Sequence, residues 1–130
     1  LRQVLRVLNM HHEWLRHSDS GRRADLTGLN LRSVHLPRTN LSQADMAEVD
    51  LSGADLRESD LSGANLVRAR LQGANLAGAD LRHADLSDAD LRDAILTDVR
   101  LDGADLWRAN LQGCTIAPAT LHAALGCRLA

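Results

Sequence analysis

From Ala24 to Ala123 an aliphatic residue recurs at every fifth position, with no insertion or deletion. Leucine fills eighteen of the twenty slots, from Leu26 to Leu121, and Met46 and Ile116 fill the other two. Two residues before all but one stands a small or β-branched side chain, most often alanine (Ala44, Ala54, Ala64, Ala74, Ala84, Ala104); Leu29 is the exception. The residue between is usually Asp or Asn. A period of five fits neither the 3.6-residue turn of a helix nor the two-residue alternation of a strand. Each unit must therefore turn a corner after a short extended piece. A unit with one Leu and one Ala buries that pair only by stacking on its neighbours, so the pattern predicts a solenoid. Its interior is narrow: Leu and Ala fill it, whereas Phe and Tyr, both absent, would not fit. Each buried leucine contributes about 1.5–3 kcal/mol before entropy is subtracted.

Ahead of the repeats, Leu1, Val4, Leu5, Leu8, His12 and Leu15 fall on one helical face, with Val7 and Trp14 at its border. An amphipathic helix to about His17 follows, stopped near Gly21 and lying over the open end of the stack, with Trp14 large enough to plug the mouth. Residues 1–20 are read as this cap, 21–123 as the repeat body, and 124–130 as a C-terminal cap. In the last segment Leu121, Ala124, Leu125 and Leu129 recur at helical intervals up to and beyond Gly126. Pro37 removes a backbone donor in a loose early repeat, where His35 also replaces the Asp or Asn.

The segments SGADL, SGANL and QGANL resemble the A-(D/N)-L-x-x motif of the pentapeptide-repeat family over 100 of the 130 residues. The resemblance implies an all-β, right-handed quadrilateral β-helix with four pentapeptides per coil, hence about five coils between an N-terminal helix and a short C-terminal helix. It also implies two ways of working. One is a non-enzymatic scaffold or protein-interaction module. The other follows members that resemble duplex DNA in shape and acidity and bind DNA gyrase.

With four units per coil, residues twenty apart share a side. The side through Leu26, Met46, Leu66, Leu86 and Leu106 is the most acidic, net −4, while the other three lie between zero and −1. Asp45, Glu48, Asp85, Asp88 and Asp105 on that side, together with the outward Trp107 and its neighbour Arg108, make the candidate partner-binding face, because exposed aromatics concentrate at interface centres. Many of these carboxylates also suit a turn-capping role with no partner at all. Ile95, which takes a polar slot, and Thr97 form a candidate packing strip on another side.

The remaining composition narrows the function classes. A net charge of −2 favours neither direct nucleic-acid binding nor an anionic membrane surface. Two cysteines, Cys114 and Cys127, are too few for a disulfide framework. No apolar run reaches the length of a membrane span, so a cytoplasmic protein is expected. The chain starts at Leu1 rather than Met, which is compatible with a piece of a longer protein. His11, His12 and His17 with Glu13 lack the i, i+4 histidine pair of a helical metal site. No metal, cofactor or catalytic group is expected, and the glycines recur with the repeat and so belong to corners rather than to a phosphate loop. The expected partner is another protein of unknown identity. The chain is expected as a monomer or as a C-terminal end-to-end homodimer.

Overall fold

The computed structural model describes residues 2–126. Helix α1, Arg2–Leu15, leads into a coiled backbone, and helix α2, Pro118–Ala124, follows it. Between them the polar slots pair in parallel at a spacing of twenty residues, from Asp25 with Asp45 to Ile95 with Thr115. The pairs form four columns, so twenty residues carry the chain once round a four-sided coil. The central residues from Leu26 to Leu106 are buried, as are the alanines that precede most of them.

The coil closes because a regular pentapeptide places all five of its backbone N–H groups. Residues 64–68 show the scheme. Ala64 N–H donates to Leu61 O across the corner behind it (3.1 Å), and Asn65 N–H donates down to Ala44 O in the preceding coil (3.0 Å). Leu66 and Arg68 N–H donate up to Asp85 O and Ser87 O in the following coil, at 2.8 and 2.9 Å. The fifth, Val67 N–H, faces no carbonyl and donates to the Asn65 side chain at 3.1 Å. Asp or Asn stands before the leucine for this reason: its side chain accepts the one N–H that the inter-coil ladder leaves over.

At each corner the second residue after the leucine has positive φ, from +52° at Arg38 to +76° at Gly113. A left-handed third residue with a bond across it is the type II turn pattern. Gly occupies several of these corners, yet Ser33, Gln43, Glu58, His83 and Asp98 adopt the same conformation. Stacking therefore overrides local preference, since a side chain in this region costs about 1–2 kcal/mol.

Both prolines follow from this geometry. Pro37 is the first corner residue, the one whose N–H would need an Asx acceptor; proline has none, so His35 can replace Asp there without loss. The same corner departs once more. Thr39 N–H does not reach Leu36 O but donates to Ser59 Oγ (3.1 Å), which in turn donates to Leu36 O (2.7 Å). Ser59 takes an alanine slot in the next coil, and its hydroxyl is spliced into the turn. Pro118 is the second corner residue, where φ must be positive and proline is held near −65°. The corner cannot form. The chain leaves the coil after Ile116, and Pro118 instead serves as an early residue of α2, a favoured place for it. The twentieth pentapeptide, 119–123, is thus helical rather than a fifth-coil side, and the closing helix starts before Leu121. The part of the C-terminal cap formed by 127–130 lies outside the described residues.

At the other end, the face of α1 that meets the coil is Val4, Val7, Leu8 and His11, with Leu8 and His11 buried. Leu5, expected on that face, is 50% exposed. Trp14 does not plug the mouth; it lies half-buried with its ring stacked on His11, centroids 5.6 Å apart. The narrow mouth takes one strip of the helix, and His11 also bonds backbone there, which Trp14 in that place could do with one N–H only. Nor is Gly21 the stop. Helix α1 ends at a left-handed His17 (φ 60°), with Ser18 N–H bonded to Glu13 O and His17 N–H to Trp14 O, a Schellman arrangement. Gly21 matters otherwise: a Cβ there would overlap the Trp14 backbone nitrogen.

Two substitutions separate core from corner. Leu71→Ala is expected to cost about 2–5 kcal/mol by opening a cavity. Gly73→Ala meets nothing within 4 Å and is expected to cost only about 1–2 kcal/mol of backbone strain. Urea unfolding measures both, and a larger loss for Gly73→Ala would contradict this ranking.

Candidate functional site

Columns of side chains twenty residues apart decide the surface. On the acidic side the second-corner column reads Gly28, Glu48, Arg68, Asp88, Arg108, with charges alternating up the rod. Arg68 pairs with Glu48 at 3.4 Å and Arg108 with Asp88 at 3.0 Å. Elsewhere His35 meets Asp55 at 2.9 Å and Arg38 meets Glu58 at 3.8 Å, also one coil apart. The negative charge left without an ion pair among the described residues on the acidic side is the polar-slot column Asp25, Asp45, Asp85 and Asp105. Three of these four hold turn N–H groups: Thr27 to Asp25, Ser87 to Asp85 and Trp107 to Asp105, at 2.9–3.1 Å. Asp45 does not; its carboxylate accepts Asn65 Nδ2 at 3.3 Å.

The seven candidate residues therefore split. Asp45 and Glu48 lie low on the rod, parted from the rest by the Asn65–Arg68 coil. Asp85, Asp88, Asp105, Trp107 and Arg108 come together near the C-terminal end. There Trp107 is 62% exposed with the Arg108 guanidinium over its ring, 5.2 Å from the centroid. Beside it a groove of about 530 Å³ runs between the last coil and α2, bounded by Ala104, Leu106, Trp107, Ala124 and Leu125. Leu125 is 49% exposed. Two of the large exposed hydrophobic side chains thus face one groove, with an ion pair on its rim.

A larger, polar concavity of about 750 Å³ lies on the adjacent side, among Arg32, Asp50, Arg70, Asp90 and Arg92. It exists because Gly53 and Gly73, one coil apart in one corner column, put no side chain there. Two glycines twenty residues apart were the signal for it. Its charges are largely matched: Arg92 grips Asp90 with two bonds at 2.7 and 2.9 Å, and Arg70 stands in the column between Asp50 and Asp90. Ile95 is 38% exposed and Thr97 is exposed, so the packing strip is open to solvent but flat.

Hydrogen bonds rather than burial govern the carboxylates. The Ser52 hydroxyl and N–H hold Asp50 below its ordinary range, and the guanidinium bonds of Arg57, Arg82 and Arg92 do so for Asp55, Asp80 and Asp90. Lowered folded values mean that their stabilisation is complete above the unfolded value, about 3.9, and is lost as pH falls through the folded ones. Partial burial raises the Cys114 thiol, so it is less nucleophilic than an ordinary cysteine. Among the described residues no group of three or more His, Cys, Asp and Glu could hold a metal ion, and no helix is long and apolar enough to cross a membrane.

Comparison with known proteins agrees with this geometry. The family described as Pentapeptide repeats matches residues 24–63, 64–103 and 94–124. No curated protein matches the chain. Among solved structures it is 38% identical to HetL, a pentapeptide repeat protein involved in heterocyst differentiation regulation from the cyanobacterium Nostoc sp. strain PCC 7120, with a TM-score of 0.69. It is 32% identical, at a TM-score of 0.50, to a pentapeptide repeat protein of the Arabidopsis thaliana thylakoid lumen. A further pentapeptide repeat protein from Nostoc is 28% identical at a TM-score of 0.52, the match covering 84% of this chain and 93% of that one. The first two matches cover 72% and 69% of this chain but only 45% and 59% of those proteins.

Trp107 holds no part of the core. Trp107→Ala is expected to shift unfolding free energy by no more than ~0.5 kcal/mol, and Arg108→Ala by less than about 1 kcal/mol, since exposed ion pairs contribute little. Thermal unfolding tests both, and a loss of several kcal/mol at Trp107 would show a structural role instead.

Proposed function

The chain belongs to the pentapeptide-repeat family, and from that premise we propose that it is a non-enzymatic scaffold whose C-terminal groove and flanking acidic side bind a partner protein. The observation that carries this reading is the convergence of Trp107, Leu125 and the Asp88–Arg108 pair on one groove. Apolar surface with a charged rim is the usual composition of a protein contact. In this reading residues 1–20 cap a right-handed coil, 21–123 supply a stiff support, and 124–130 border the contact. The flat Ile95–Thr97 strip is a secondary packing surface. We place the protein in the cytoplasm, as a monomer or as a dimer joined at the C-terminal ends.

Gyrase modulation by DNA mimicry is the second reading, favoured by the uncompensated Asp25, Asp45, Asp85 and Asp105 column. Mimicry needs a continuous negative field. Asn65 interrupts this column, and the corner beside it is neutralised in pairs, which argues for the first reading.

A partner captured by the wild type should be lost, by about tenfold or more, from the double variant Trp107→Ala, Asp88→Lys; neither side chain accepts a turn N–H, and the backbone bonds of both positions remain. Retention of the same partner would remove the groove from the binding site. Gyrase supercoiling, measured with added protein, should be unaffected at tens of micromolar, and inhibition would instead favour mimicry.

A further inference from the structure

We propose that α1 is an acid-operated latch: it stays on the mouth of the coil only while His11 is a neutral imidazole carrying its proton on Nε2. His11 is wholly buried and joins the helix to both ends of the first coil. Its Nδ1 accepts the Ala24 N–H at 2.9 Å, where the first coil begins. Its Nε2 lies 2.8 Å from the Ser42 carbonyl oxygen, at the far end of that same coil. A carbonyl can only accept and an N–H can only donate, so both contacts are satisfied by one tautomer. A proton added at Nδ1 turns the acceptor into a donor facing the Ala24 N–H, and it places a charge there against which stands only the Ser42 carbonyl.

The surroundings oppose that proton. Burial lowers the affinity of His11 for it, against the Ser42 bond, and the nearest charged groups, His12 on its own helix and Arg23 on the first coil, act in the same direction as burial. The coil brings the neutral Ser42 backbone, and the helix itself adds the Trp14 ring. A released His11 takes up a proton in the ordinary range near 6.5. Undocking is therefore favoured progressively as pH falls below that value, and the effect levels off below the folded value.

Few other contacts hold the cap. Leu8 is its one buried hydrophobic side chain, and Arg22 N–H to Met10 O its other backbone bond to the lead-in of the coil. Undocking bares the apolar end of the coil and the free edge of its first turn, a surface prone to pairing with other chains. The latch thus couples pH to the state of the N-terminal end.

The wild type tests this by ¹⁵N-histidine NMR and amide exchange. At neutral pH His11 should show the Nε2–H tautomer with an unprotonated Nδ1. Exchange at Ala24, corrected for its intrinsic rate, should quicken severalfold, to a ceiling of about tenfold, between pH 7.5 and 5.5. In His11→Gln the carboxamide offers a donor and an acceptor at every pH, so this acceleration should vanish. His11 protonated on Nδ1 at neutral pH, His11 titrating near 6.5 with Ala24 exchange unchanged, or an equal acceleration in His11→Gln would each overturn the latch. Should the variant fail to fold, the wild-type tautomer and exchange profile decide alone.

Discussion

A coil only five residues to a side has to find an acceptor for every backbone N–H without the help of a long strand. Four of the five are met by backbone, one across the corner and three between coils; the fifth is met by Asp or Asn. The repeat follows from this constraint. Leucine fills the axis, alanine leaves room for it, the polar residue takes the leftover donor, and the last residue bends left-handed to let the chain turn. Unpaired buried amides are costly, so the arrangement is stable only when coils are stacked, and each coil enforces the register of the next.

The same constraint explains which departures are tolerated. Proline is admitted where the N–H is the surplus one and ends the coil where φ must be positive. Ser59 is admitted to an alanine slot because its hydroxyl bridges Thr39 N–H and Leu36 O. Arg70, Ile95 and Arg100 leave Gln72, Thr97 and Asp102 without a side-chain acceptor, and all three residues are exposed, where water can serve.

Much of this was legible in the order of residues, because a strict period maps sequence directly onto space. The inward leucines and helices at both ends could be inferred before any coordinates, and the four columns followed from the family resemblance. What escaped inference depended on contacts outside the period. The inward strip of α1 is set by the shape of the coil mouth, so Leu5 gave way to Val7 and His11. The end of the coil turned on the φ of one proline. Adding charges side by side, rather than tracing columns, concealed that Glu48 pairs with Arg68 and Asp88 with Arg108. Trp107 was recognisable as an outward aromatic, but its groove needed Ala124 and Leu125 from a helix whose start was misplaced. A stiff rod with neutralised corners and one apolar groove fits a support that presents a single contact better than a uniform acidic surface.

The dependence on leftover amides can be measured directly by residue-resolved hydrogen exchange across the middle coils. Val67, Ala77 and Arg82, whose N–H groups bond Asn65, Asn75 and Asp80 at 3.0–3.1 Å, should exchange several-fold more slowly than Gln72, Thr97 and Asp102. Leu66, Leu71 and Leu76 should be slower than all of them, repeating every fifth residue. Equal protection at Val67 and Gln72, or protection lacking the five-residue period, would contradict the account.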